Sequence, residues 1–227
     1  MQRILLAITL LGCAQAWAHD IITTPITFDR EILRIVDARC ASCHHPGGPA
    51  FSLMTYKDAR PWAEAIKEEV LARRMPPWGA VKGFGDFRND QALTEEQLEL
   101  IVSWADGGVP EGEDKDVPPA PKLDAAGPEA PPKGSVTVSG DFTVKSDFKL
   151  DGLWPQKVPD KASFQITAQL PDGSLQPLLW IQEYKQQWGH PFLLRETMDL
   201  PKGTVIRGVP KDATVTLLPP GAGLAAK

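Results

Sequence analysis

Cys40-Ala41-Ser42-Cys43-His44 decides how the rest of this chain is read. Two cysteines separated by two residues, with histidine next in line, form the attachment pattern of a c-type haem. The chemistry needs those groups at that spacing. Each thiol adds to one vinyl group of the porphyrin, and the histidine gives an imidazole nitrogen to the iron. One helical turn brings all three to a single porphyrin edge.

Three other readings compete for the same residues. A redox dithiol of the thioredoxin type needs a strand before the motif and a βαβ pattern around it. Phe28 to Ala38 reads instead as an amphipathic helix, with Ile32, Leu33, Ile35 and Val36 on one face. Half of a zinc site would need more ligands than the sequence offers, because there is no second Cys-x-x-Cys and His45 is the nearby extra candidate. A plain structural disulfide is the third. The expected compartment favours haem, since bacterial attachment of c-type haem takes place outside the cytoplasmic membrane.

That compartment is read from the N-terminus. Arg3, the apolar run Ile4 to Leu11 and the small-x-small site Ala16-Trp17-Ala18 predict an export signal over residues 1–18. A rival reading takes Leu10-Leu11-Gly12-Cys13 as a lipoprotein box, in which case Cys13 would tie the protein to a membrane. Either way the protein is expected in the periplasm. The 227 residues carry 24 Lys+Arg against 29 Asp+Glu, a net charge of −5, which argues against a nucleic-acid partner.

After the motif, His45-Pro46-Gly47-Gly48-Pro49 ends the first helix. A carbonyl from this loop is expected to take the spare N–H of His44 and fix its tautomer. Tyr56 to Arg74 predicts a second helix, and Met75-Pro76-Pro77-Trp78 follows it. Met75 is the candidate sixth ligand of the iron, Pro76 and Pro77 stiffen the strap behind its sulfur, and Trp78 is expected to cover a haem edge. Met54 is the other nearby thioether. Gly83 to Asp90 reads as a polar loop. Thr94-Glu95-Glu96-Gln97 predicts a capping box opening a third helix, which Gly107-Gly108 end.

Residues 25–110 resemble a class I cytochrome c: a helix ending in Cys-x-x-Cys-His, a Met-Pro strap and a final amphipathic helix with an aromatic. Carried over, the resemblance makes Cys40 and Cys43 the thioether residues of one covalent haem c, His44 the proximal ligand and Met75 the distal one. Arg74-Met75-Pro76-Pro77-Trp78, Phe87-Arg88-Asn89-Asp90 and Ile101-Val102-Ser103-Trp104-Ala105-Asp106-Gly107-Gly108 further resemble a bacterial subgroup. In that subgroup a small cytochrome domain is fused to a β domain related to copper type II monooxygenases.

A proline-rich, acidic linker spans 111–134, and period-two patterns begin at Ser135. Val136 to Val138, Phe142 to Val144, Phe164 to Ala168, Leu175 to Tyr184, His190 to Glu196, Thr204 to Val209 and Ala213 to Leu218 predict strands, with a turn at Pro171-Asp172-Gly173. The expected architecture is therefore an all-α cytochrome c domain followed by a small antiparallel β-sandwich over 135–220. A copper site in the second half would have only His190 and Met198 to draw on. The sequence predicts an exported monohaem carrier of single electrons that meets other redox proteins and uses its β domain for docking. It is read as a relay rather than an enzyme. The alternative is an electron-feeding domain for chemistry at the β domain or a partner subunit.

Overall fold

The computed structural model describes residues 22–123 and 130–221. The signal expected over 1–18, with Cys13, lies outside the described residues. Thr27 opens the first helical stretch by accepting from Arg30 N, and Glu31 Oε2 accepts from Thr27 N in return at 2.9 Å. A π-helical turn, Phe28–Ile32, runs from there into α1, Leu33–Arg39. The second stretch joins α2 (Tyr56–Ala59), a 3₁₀ turn (Arg60–Trp62) and α3 (Ala63–Leu71). The third is α4, Glu95–Asp106, which carries the expected capping box between Thr94 and Gln97.

These helices share one apolar core. Phe28, Ile32 and Trp104 are its fully buried centre, joined by Leu98 and Ile101 of α4 and by Val70 of α3. Each fully buried side chain of this size stabilises the fold by roughly 1.5–3 kcal/mol. The indole of Trp104 also donates to Pro110 O at 3.1 Å, and Phe28 N and Asp29 N donate to Pro110 O and Glu111 O at 2.9 Å each. The proline-rich stretch thus begins by lying along the helices.

The second half is a β-sandwich of two four-stranded antiparallel sheets. One has the order β1-β8-β3-β6, from β1 (Val136–Val138), β3 (Phe148–Lys157), β6 (Phe192–Leu200) and β8 (Thr214–Leu218). The other has the order β2-β7-β4-β5, from β2 (Phe142–Thr143), β4 (Phe164–Gln169), β5 (Leu175–Ile181) and β7 (Val205–Arg207). Alternate residues of both sheets point inward: Leu150, Ile166, Ala168, Leu179, Ile181 and Val215 are all fully buried.

The fold departs from the expected all-α domain followed by a β domain. The chain is mostly β, and its helices are three short stretches joined by long irregular segments. The physical reason lies between α3 and α4. There the chain leaves the helical core and inserts Trp78 and Phe87, each 5% exposed, into the core of the sandwich. Backbone bonds fix this segment to one outer strand of each sheet, β5 and β6. Val81 N donates to Trp180 O at 2.9 Å and Gln182 N to Gly79 O at 3.0 Å, beside the end of β5. Arg88 N donates to Leu193 O and Arg195 N to Asp86 O, both at 2.9 Å, along β6. Gly85 has φ +83°, and a Cβ there would stand 2.5 Å from Leu178 O, so this turn can press against β5 only with glycine. Residues 78–89 form a strap that belongs to the sandwich as much as to the helices.

Candidate haem-attachment site

Helix α1 ends at Arg39, and Cys40 N still donates to Val36 O at 2.8 Å. Cys43 N and His44 N then both donate to Cys40 O, at 3.1 and 2.9 Å. The motif is therefore one tight turn that carries the two sulfurs and the imidazole at positions 40, 43 and 44. Both cysteines are free thiols. Cys40 packs against the helical core, and burial, with Cys43 alongside, pushes its thiol up to about 12.

The following loop folds back on this turn. Ala50 N donates to Cys43 O and Leu53 N to His44 O, at 3.2 and 3.1 Å. A Cβ on Gly48 would lie 2.6 Å from Cys43 O, which explains the glycine there. His44 Nδ1 lies 2.9 Å from Phe51 O. A carbonyl only accepts, so Nδ1 carries a proton, and in the neutral ring Nε2 holds the lone pair. The orienting carbonyl comes from Phe51, two residues past the glycine-proline loop. No side-chain pattern marks a backbone carbonyl, so its identity could not be read in advance. The Phe51 ring meets His44 edge-on, with centroids 5.0 Å apart, and stacks on Trp62 at 4.6 Å. His45 turns its Nδ1 to Pro46 O at 3.0 Å, away from this arrangement.

Met75 and Met54 are half-buried against the same helical core as Cys40. Met75 precedes the strap: its N–H donates to Glu69 O at 3.3 Å, and the neighbouring Arg74 grips the Glu69 carboxylate at 2.8 Å through two nitrogens. Pro76 and Pro77 are half-buried behind it, and Trp78 N donates to Pro76 O at 2.8 Å. Trp78 itself faces the other core. It stacks on His190 with centroids 4.8 Å apart and an interplanar angle of 16°, and it meets Phe192 edge-on at 4.9 Å.

The residues at the motif fit a haem on observations of the chain itself. The two sulfurs are unpaired, and the imidazole is held in the tautomer that coordinates through Nε2. Beside Cys40, two buried polar atoms, Asp37 Oδ1 and Arg39 Nε, have no hydrogen-bond partner, although Arg39 Nη1 donates to Asp90 O at 2.5 Å. Buried polar atoms without partners are uncommon in folded proteins, and the others among the described residues, on Ser135, Gln156 and Thr204, lie away from the motif. Among the described residues no three His, Cys, Asp or Glu side chains are grouped as for a metal ion. Met198 is half-buried against the β core, and His190 is half-buried beside Trp78. Among the same residues no helix is long and apolar enough to cross a membrane. No protein-family model, curated protein or solved structure matches the chain.

Proposed function

We propose that this protein is an exported carrier of single electrons with one covalently attached haem c. The observation that carries the reading is the turn at Cys40–His44, with two free thiols and an imidazole whose Nδ1–H is taken by Phe51 O. In this reading Cys40 and Cys43 hold the porphyrin and His44 Nε2 binds the iron. Met75 supplies the second axial ligand from a half-buried position on the same core. When bound, the haem supplies a one-electron Fe(III)/Fe(II) couple. The protein's part is to bind it, orient His44 and set the polarity around the iron.

Two axial ligands from the protein leave no open coordination position, which favours relay over catalysis. Partners would be other redox proteins, met in small transient contacts. The export reading rests on residues 1–18 and supports the periplasm as the site of action, with lipidation of Cys13 as the route to a membrane.

The decisive experiment is a visible spectrum, oxidised and reduced, of protein exported in a host that matures c-type cytochromes. Sharp reduced bands of a c-type haem are expected, with a weak sulfur-to-iron band in the oxidised form. A haem spectrum without the sulfur band would move the sixth ligand away from Met75. Mature protein without haem would overturn the reading.

A further inference from the structure

Met75 lies between two anchorages. On its N-terminal side, α3 holds it through Glu69, as described above. On its C-terminal side, only Pro76 and Pro77 separate it from Trp78. Both prolines have φ fixed near −65° by their rings, and the Trp78 N to Pro76 O bond at 2.8 Å closes the turn. A shift of Trp78 is therefore passed to Met75 with little slack.

Trp78 is fixed from the sandwich. His190, in the segment leading into β6, places Nε2 3.2 Å from Trp78 O and Nδ1 3.0 Å from Pro191 O, and its ring lies parallel on the indole. Both ring nitrogens face carbonyls, which only accept, so a neutral ring donates to one of the two, and donation to Trp78 O is the tautomer with its N–H at Nε2. Phe192, fully buried, packs against both rings, with its centroid 4.5 Å from that of His190. Asn89 secures the far end of the strap, with Nδ2 donating to Pro191 O at 2.8 Å and Oδ1 accepting from Leu193 N at 2.9 Å. The same short segment, 190–193, thus holds both ends of the strap.

We infer that His190 is a positioning residue for the Met75 thioether, acting from the β-sandwich through Trp78. The inference rests on the proposed haem ligation. It gives the second half of the chain a part in setting the iron's sixth ligand, without any metal of its own. A thioether raises the reduction potential of the iron, so its placement is read directly in that potential.

The test compares full-length, haem-loaded wild type with His190→Ala, His190→Gln and His190→Phe. Gln retains a donor for Trp78 O, and Phe retains the stack. In His190→Ala the sulfur-to-iron band is expected to weaken, and the potential to fall by about 59 mV, the equivalent of a tenfold change in a one-electron equilibrium. His190→Gln is expected to recover most of both. His190→Gln and His190→Phe keep the comparison open if alanine prevents folding. A lower melting temperature with unchanged potential and band in all three would show a merely structural histidine and overturn the inference, while Met75 ligation would stand. A wild-type spectrum without the sulfur band would overturn Met75 ligation itself and this inference with it.

Discussion

Arg88 and Asp151 meet at two points, Nη1 to Oδ1 at 3.0 Å and Nη2 to Oδ2 at 2.7 Å. The pair joins the strap to β3, the central strand that lies between β8 and β6. Asp151 is nearly buried and Arg88 a quarter exposed, and Arg88 Nη1 also donates to Leu194 O at 2.5 Å. Planar two-point pairing of this kind is the strong form of an ion pair.

Arg88→Ala leaves a buried carboxylate without its partner. A loss of about 3 kcal/mol in unfolding free energy is expected, near the lower end for breaking a buried pair because Arg88 keeps some solvent contact. Urea unfolding of the full chain measures it. Arg88→Lys should recover only part, since an ammonium cannot make both contacts. A loss below about 1 kcal/mol would place the pair with ordinary surface ion pairs.

Phe87 packs against Trp78 and Phe192, with centroids 5.9 and 5.7 Å away. Phe87→Ala is expected to cost about 3–5 kcal/mol through the cavity it leaves. The strap is shared, so the helices and the sheets should lose stability together. Helical circular dichroism and tryptophan fluorescence should report one transition in the variant as in wild type. Separate transitions would show that the strap does not couple the two halves.

Met75→Ala removes the proposed thioether ligand. The reduction potential is expected to fall by more than about 59 mV, and carbon monoxide and imidazole should gain access to the iron. Met54→Ala, at the other half-buried thioether of this core, should leave the potential where it is. The reverse pattern would assign the ligand to Met54.

Tyr184 is nearly buried, with its hydroxyl 3.4 Å from Pro155 O, and burial raises it from the ordinary 10 to about 12. The neutral phenol is the form the fold favours. Its contribution is fully present below pH 10 and is lost as the pH rises from 10 through about 12, on the order of 3 kcal/mol in all. Melting temperatures of wild type and Tyr184→Phe should therefore separate over that window and run parallel below it. Parallel curves throughout would mean that the hydroxyl reaches water.

The helix starts were legible because their signals are local. Thr94 and Gln97 cap α4 as their spacing requires, and Leu170 and Ser174 close the turn around Pro171-Asp172-Gly173 through backbone bonds. β3 was missed because Phe148–Lys157 contains Asp151, Gly152 and Pro155, which read as breaks in a strand. They are features of its centre. The register shifts beside Gly152 and Pro155, and a Cβ on Gly152 would lie 2.7 Å from Phe192 O. The strap was also missed. Gly83 to Asp90 has no helical or strand period, and its partners, Asp151 and residues 190–195, are at least sixty positions away. For the same reason the motif residues Cys40, Cys43 and His44 were legible as a group, while the side of the molecule that Trp78 faces was not.

β5 and β6 each lie at the end of a sheet, where unpaired N–H and C=O groups invite pairing with another molecule. At those ends the backbone of Gly79 and Val81 and that of Asp86 and Arg88 fill ladder positions. The strap precedes both strands in the chain, so it is already synthesised when they emerge. The strap therefore also covers one edge of each sheet against edge-to-edge aggregation. A lesion in it should show as loss of soluble protein.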